Sequence, residues 1–173
     1  MRSIACLVIH HSASAGGNVE TIRQAHVVQN GWKEIGYHEI ICNGRGAPDG
    51  HISKGRDHDK VGAGVFGANS GKLHVCLIGN FAKGDPGYSG PPSKKQVDAL
   101  GHWILTNCRR YSVIGTNVKG HKEVAVEGHG TLCPGFSEET LKQIRRWAMA
   151  SLGGQTEASL AEWLEDKLTF GNL

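Results

Sequence analysis

Ile4-Ala-Cys-Leu-Val-Ile-His-His-Ser-Ala13 is an apolar run of strand length that ends abruptly in two histidines and a small polar residue. The end of a buried strand is a rigid platform, and side chains that must be held within fractions of an ångström are better placed there than on a free loop. Neighbouring residues of a strand point to opposite faces, so only one of His10 and His11 can face a given site. A second run, Leu73-His-Val-Cys-Leu-Ile-Gly79, is nearly continuously apolar. That pattern marks a strand covered on both faces, and it belongs at the centre of a sheet.

Far from both in sequence, Val118-Lys-Gly-His-Lys-Glu-Val-Ala-Val-Glu-Gly-His-Gly-Thr-Leu-Cys-Pro-Gly135 gathers His121, His129 and Cys133 in a Gly-rich segment without helical period. Imidazole nitrogen together with thiolate sulfur suits zinc, and a catalytic zinc needs three protein ligands with a fourth position open. Two sets satisfy that count. One is local, His121, His129 and Cys133; the other replaces His129 by the strand-borne His10. The local set needs a flexible Gly-His-Gly run to be ordered, whereas His10 is carried by a buried strand.

The rest of the chain reads as the frame for these segments. Asn18 is placed to cap a helix through Gln29, with Val19, Ile22, Ala25 and Val28 on one stripe. Glu39 to Cys42 is a short strand, and Asn43-Gly-Arg-Gly46 predicts a turn that pairs it with a piece near His51 to Ser53. Val61 to Gly71 is a glycine-rich loop. Ser93-Lys-Lys-Gln96 is a capping box opening a helix whose stripe is Val97, Leu100, Ile104, Cys108 and Tyr111. Ser137 caps another, acidic at Glu138-Glu139 and basic at Arg145-Arg146. Gly153-Gly154 breaks it, and a last helix follows from Thr156 with Leu160, Trp163, Leu164 and Leu168 at helical spacing. The predicted architecture is mixed α/β: one central sheet of about five strands flanked by helices, with residues 1–152 as the main domain and 153–173 as a C-terminal helical extension.

At 173 residues the chain is long enough for one domain with a substantial core. The formal charge is +3, and the basic pairs are scattered over helix faces, so a nucleic-acid role has no motif behind it. The five cysteines include Cys6, Cys42 and Cys76 inside apolar runs, where they read as buried thiols rather than a disulfide framework. Met1-Arg-Ser leads straight into the first strand, so that strand is not read as a cleaved signal peptide, and the chain is expected to be made in a reducing cytoplasm. No run is long enough to cross a membrane.

Four motifs together, Val8-Ile-His-His-Ser-Ala13, Gly36-Tyr-His-Glu-Ile-Ile41, Val75-Cys-Leu-Ile-Gly-Asn-Phe81, and Gly120-His-Lys-Glu-Val with Thr131-Leu-Cys-Pro-Gly135, resemble the zinc-dependent type 2 N-acetylmuramoyl-L-alanine amidases. That family includes phage amidase-type lysozymes and the peptidoglycan recognition proteins. The resemblance runs from the first strand to about Phe136. It implies a zinc held by His10, His121 and Cys133, with Tyr37 and Thr131 as catalytic residues that stabilise charge on the substrate. It implies peptidoglycan as substrate, cut between N-acetylmuramic acid and L-alanine. By analogy it suggests a phage endolysin that reaches the cell wall after release from the host cytoplasm by a separate protein.

Against that pattern the chain has three departures. Cys76 stands where one branch of the family has a glutamate proposed as general base, so this chain resembles the tyrosine branch. Gly64 stands where many relatives have histidine, which alters the wall of the groove. The segment Val126-Glu-Gly-His-Gly130 lengthens the gap between His121 and Cys133. Two other classes compete with an amidase: a peptidoglycan-binding module without activity, and a structural zinc domain. The retained ligand set and Tyr37 speak against the first, and the lack of any Cys-x-x-Cys pair against the second.

Overall fold

The computed structural model describes residues 2–167. Its centre is a five-stranded mixed sheet in the order β3-β2-β4-β1-β5. The strands are β1 (Cys6–His11), β2 (Glu39–Ile41), β3 (Ile52–Lys54), β4 (Lys72–Leu77) and β5 (Val118–Gly120). β1 runs parallel between β4 and β5, β2 runs parallel to β4, and β3 alone is antiparallel. The two apolar runs are thus adjacent central strands, with His10 level with Cys76.

Period two separates the two faces of this sheet. Leu7 and Ile9 of β1 and Leu73, Val75 and Leu77 of β4 join the larger core, which lies under the helices α2 (Lys94–Tyr111), α3 (Glu138–Leu152) and α4 (Leu160–Lys167). Val8, His10, His74 and Cys76 therefore turn to the opposite face. There a smaller cluster of Ile22, Ile35, Ile40, Cys42 and Ile78 closes the sheet. All five cysteines are free thiols; Cys42 and Cys76 are buried as expected, and Cys6 is half-buried at the start of β1.

Several local expectations are met and some are corrected. Ser93 accepts from the Gln96 amide at 3.0 Å and Gln96 Oε1 accepts from the Ser93 amide at 3.2 Å. The Gln96 amide group also donates to the carbonyls of Ile41 and Ile78, which ties the start of α2 to the sheet. β2 and β3 do pair, but through a loop longer than a tight turn, closed by Gly50 N donating to Cys42 O. The helix begun at Asn18 is α-helical only over α1 (Val19–Gln24), and Ala25–Gln29 winds as a π-turn. The wide turn carries Val28 out to 72% exposure and brings His26 inward instead. Arg145 and Arg146 lie in the middle of α3, which continues to Leu152, so they do not serve its C-terminal dipole.

The C-terminal helix starts at Leu160 rather than near Thr156: Ser159 Oγ accepts from Glu162 N at 3.3 Å and Glu162 Oε2 accepts from Ser159 N at 2.8 Å, and Ala158 O just before it accepts from Trp147 Nε1 at 2.9 Å. Leu160, Ala161 and Leu164 are buried in the main core, and Ala161 N donates to Asp98 on α2. Leu168 lies outside the described residues. A helix that shares the core in this way should cost stability when cut back. Leu164→Ala is expected to lower the unfolding free energy by about 2–5 kcal/mol, read from the shift of the urea midpoint. A cost below about 0.5 kcal/mol, the range of ordinary surface changes, would show that α4 is a surface appendage.

Candidate metal centre

The sheet face opposite the main helices ends in a group of three donors. His10, His121 and Cys133 place their ligand atoms within 4.8 Å of one another. His10 leaves the end of β1, fully buried. Its Nδ1 is 3.7 Å from Cys133 Sγ, and its ring centroid is 4.7 Å from that of His121.

The two loop donors are tied together by the chain's own hydrogen bonds. β5 ends at Gly120, and His121–Glu123 forms one 3-10 turn. Glu123 accepts from Gly120 N at 2.7 Å and is paired with Arg145 of α3 at 2.9 Å, so that arginine clamps the ligand turn. Lys122 N donates to Cys133 O at 2.8 Å, joining the two loops. A side chain at position 120 would meet Pro134 Cδ at 2.8 Å and Leu141 at 2.9 Å, which is why a glycine precedes His121.

The electrostatics fit a cation. Burial lowers the pKa of His10 far below its usual value, helped by the neighbouring His74 and His121, and burial also lowers His121. Both imidazoles are neutral and have a lone pair to offer. Burial pushes the Cys133 thiol up to about 12, opposed by the His11 backbone N–H, which donates to Sγ at 3.4 Å. A thiolate here thus needs a positive partner, and two nitrogens with one sulfur are a borderline-soft set suited to zinc.

Tyr37 and Thr131 flank this group. The Tyr37 ring stands 4.9 Å from His10 and 5.2 Å from His26, whose Nδ1 accepts from Gly36 N at 3.0 Å. The π-turn therefore builds the support behind Tyr37. Burial, then the nearby Cys76 and Cys133, raises the Tyr37 phenol well above its usual pKa, which keeps it a donor. Thr131 Oγ1 accepts from Cys133 N at 3.1 Å, an arrangement that leaves its own O–H free to donate.

His11 and His129 stand apart from the donor group. His11 turns to the other face of the sheet, where its Nδ1 accepts from Phe81 N at 3.2 Å. His129 is exposed and stacks on Phe66 of the 61–71 loop at 4.0 Å. Cys76 is fully buried, and burial raises its thiol well above the usual value. A groove of about 330 Å³ is lined by Ala82, Lys83, Lys122, Leu132, Gly135, Phe136 and Ser137, which include the chain neighbours of His121 and Cys133 but none of the three donors.

One site residue was not singled out from sequence. His74 Nδ1 is 3.0 Å from His10 Nε2, and both residues are fully buried. The available signal was parity: on a strand covered on both faces, a histidine two positions from Cys76 shares its face.

Residues 1–136 match the family model described as N-acetylmuramoyl-L-alanine amidase, a span that holds every residue of the group. The chain is similar to the endolysin of Klebsiella phage KP32, 34% identical, with 82% of this chain and 83% of that one covered. Among solved structures it is similar to N-acetylmuramoyl-L-alanine amidase LysC from Clostridium intestinale URNW, 29% identical, with a TM-score of 0.61 over 82% of this chain and 84% of that one. It is also similar to PGRP-SA of Apis mellifera, 28% identical, with a TM-score of 0.66 over 85% and 84% of the two chains. With the family model matched across the whole sheet and both ligand loops, the chain belongs to the N-acetylmuramoyl-L-alanine amidase family.

Proposed function

We propose that this chain is a zinc-dependent peptidoglycan amidase of the endolysin kind, which hydrolyses the bond between the lactyl carbonyl of N-acetylmuramic acid and the amino group of L-alanine. The observation that carries this reading is the convergence of His10, His121 and Cys133 beside the Tyr37 ring. Zinc, when bound, supplies Lewis acidity toward the scissile carbonyl and brings the pKa of water toward neutrality.

The remaining work falls to the chain. His10, His121 and Cys133 hold the ion. Tyr37, still protonated at neutral pH, donates to the carbonyl oxygen as it gains negative charge. Thr131 holds the Cys133 amide and has its own proton to aim at the same oxygen. Cys76 brings no carboxylate base to the strand, and its thiol stays neutral. Residues 1–152 form the catalytic body in this reading, and the C-terminal extension buttresses α2 and α3. The endolysin relatives support action on the cell wall, and no helix among the described residues is long and apolar enough to cross a membrane.

The test is the bond itself. Digestion of purified sacculi should release new free α-amino groups of alanine and leave the glycan strands intact. New reducing sugar ends would instead mark a glycosidase, an activity built on two carboxylates, and would remove the metal mechanism. Binding to sacculi without release of either product would favour a recognition module.

A further inference from the structure

We propose that His74 is a positioning residue for the metal centre, holding the His10 ring in the tautomer and orientation that aim Nδ1 at the ion. The proposal rests on the zinc site proposed above and adds a residue to it. His10 has two ring nitrogens and two neighbours: Nδ1 faces Cys133 Sγ at 3.7 Å, and Nε2 faces His74 Nδ1 at 3.0 Å. A nitrogen that binds a cation must offer its lone pair, so the proton of neutral His10 sits on Nε2 and is donated to His74 Nδ1. No water competes for that proton, because both side chains are fully buried.

His74 is itself held from behind. Its backbone N–H donates to His38 Nδ1 at 3.0 Å, and the two rings stack with centroids 5.5 Å apart and planes 8° apart. Accepting from His10 puts the proton of His74 on its Nε2, and that buried atom has no hydrogen-bond partner among the described residues. An unpartnered buried donor costs stability. An apolar residue at this position would avoid that cost, so packing alone does not account for a histidine on β4.

Gly64 completes the arrangement from the loop side. A Cβ there would lie 2.9 Å from His10 Nε2 and 2.9 Å from His74 Nδ1, on the hydrogen bond itself. The histidine that the family resemblance leads one to look for at position 64 therefore has no room. The imidazole behind His10 comes from β4.

Zinc affinity, measured by competition with a chelator, separates this role from packing. His74→Leu fills the position on β4 with an apolar side chain but removes the acceptor, and should weaken zinc binding about 10–100-fold without lowering the unfolding midpoint of the zinc-free chain. His74→Asn restores an acceptor oxygen near the position of Nδ1 and should recover most of the loss. Gly64→Ala reaches the same hydrogen bond without substituting any residue of β4 and should weaken zinc comparably, which keeps the test open if His74→Leu fails to fold. Affinity within about 3-fold of the parent in both His74→Leu and Gly64→Ala would overturn the proposal while leaving the zinc site standing. Equal losses in His74→Leu and His74→Asn would overturn it in favour of packing. A parent chain that binds no zinc would overturn the site and this proposal together.

Discussion

Tyr37→Phe should lower turnover on peptidoglycan about 100- to 1000-fold, the usual cost of one donor to a developing oxyanion, while leaving bound zinc unchanged. The substitution removes one oxygen and leaves the ring that packs between His10 and His26. Burial raises the phenol well above its usual pKa, so its hydroxyl is a neutral donor across the working range and a large effect on the chemical step follows. Turnover rates and zinc content measured on one preparation decide the matter. Activity within a few-fold of the parent would take Tyr37 out of the mechanism and favour the recognition-module reading. Loss of zinc alongside activity would mean that the hydroxyl supports the metal site itself and not only the developing charge.

Much of the frame was legible in the chain because it depends on local rules. Continuous apolar runs identified β1 and β4 as covered strands, and the capping box at Ser93 fixed the start of α2. Period two correctly implied that His10 and His11 would part company, since the first reaches the donor group and the second bonds Phe81 across the sheet. What stayed hidden depends on partners distant in sequence. The stripe Val19, Ile22, Ala25 and Val28 has helical spacing whether or not the last turn widens, and the widened turn is held by contacts of His26 with Trp32, Gly36 and Tyr37, which lie beyond the helix but not far along the chain. Arg145 looked like a helix-end charge because its partner Glu123 lies on another element.

The candidate site divides in the same way. Donor types and their strand or loop setting pointed to a metal, and the family resemblance supplied Tyr37 and Thr131. Residue type alone does not separate His10 from His129; the buried-strand setting and the family resemblance favour His10. Geometry then groups His10 with His121 and Cys133, while His129 lies against Phe66. His74 is not legible in the sequence, because its relation to His10 arises only when β1 and β4 are set side by side.

The ligand set is the claim on which the account turns, and zinc per chain, measured in purified folded variants, tests it most directly. The parent should carry one zinc. His10→Ala, His121→Ala and Cys133→Ser should each lose it, with a drop in affinity larger than the about 10–100-fold typical of changes behind a ligand. His11→Ala and His129→Ala should keep the metal, because their rings face Phe81 and Phe66 instead. Circular dichroism on each variant separates loss of metal from loss of fold. One zinc retained by His10→Ala and lost from His129→Ala would contradict the account and leave the N-terminal histidine without its role.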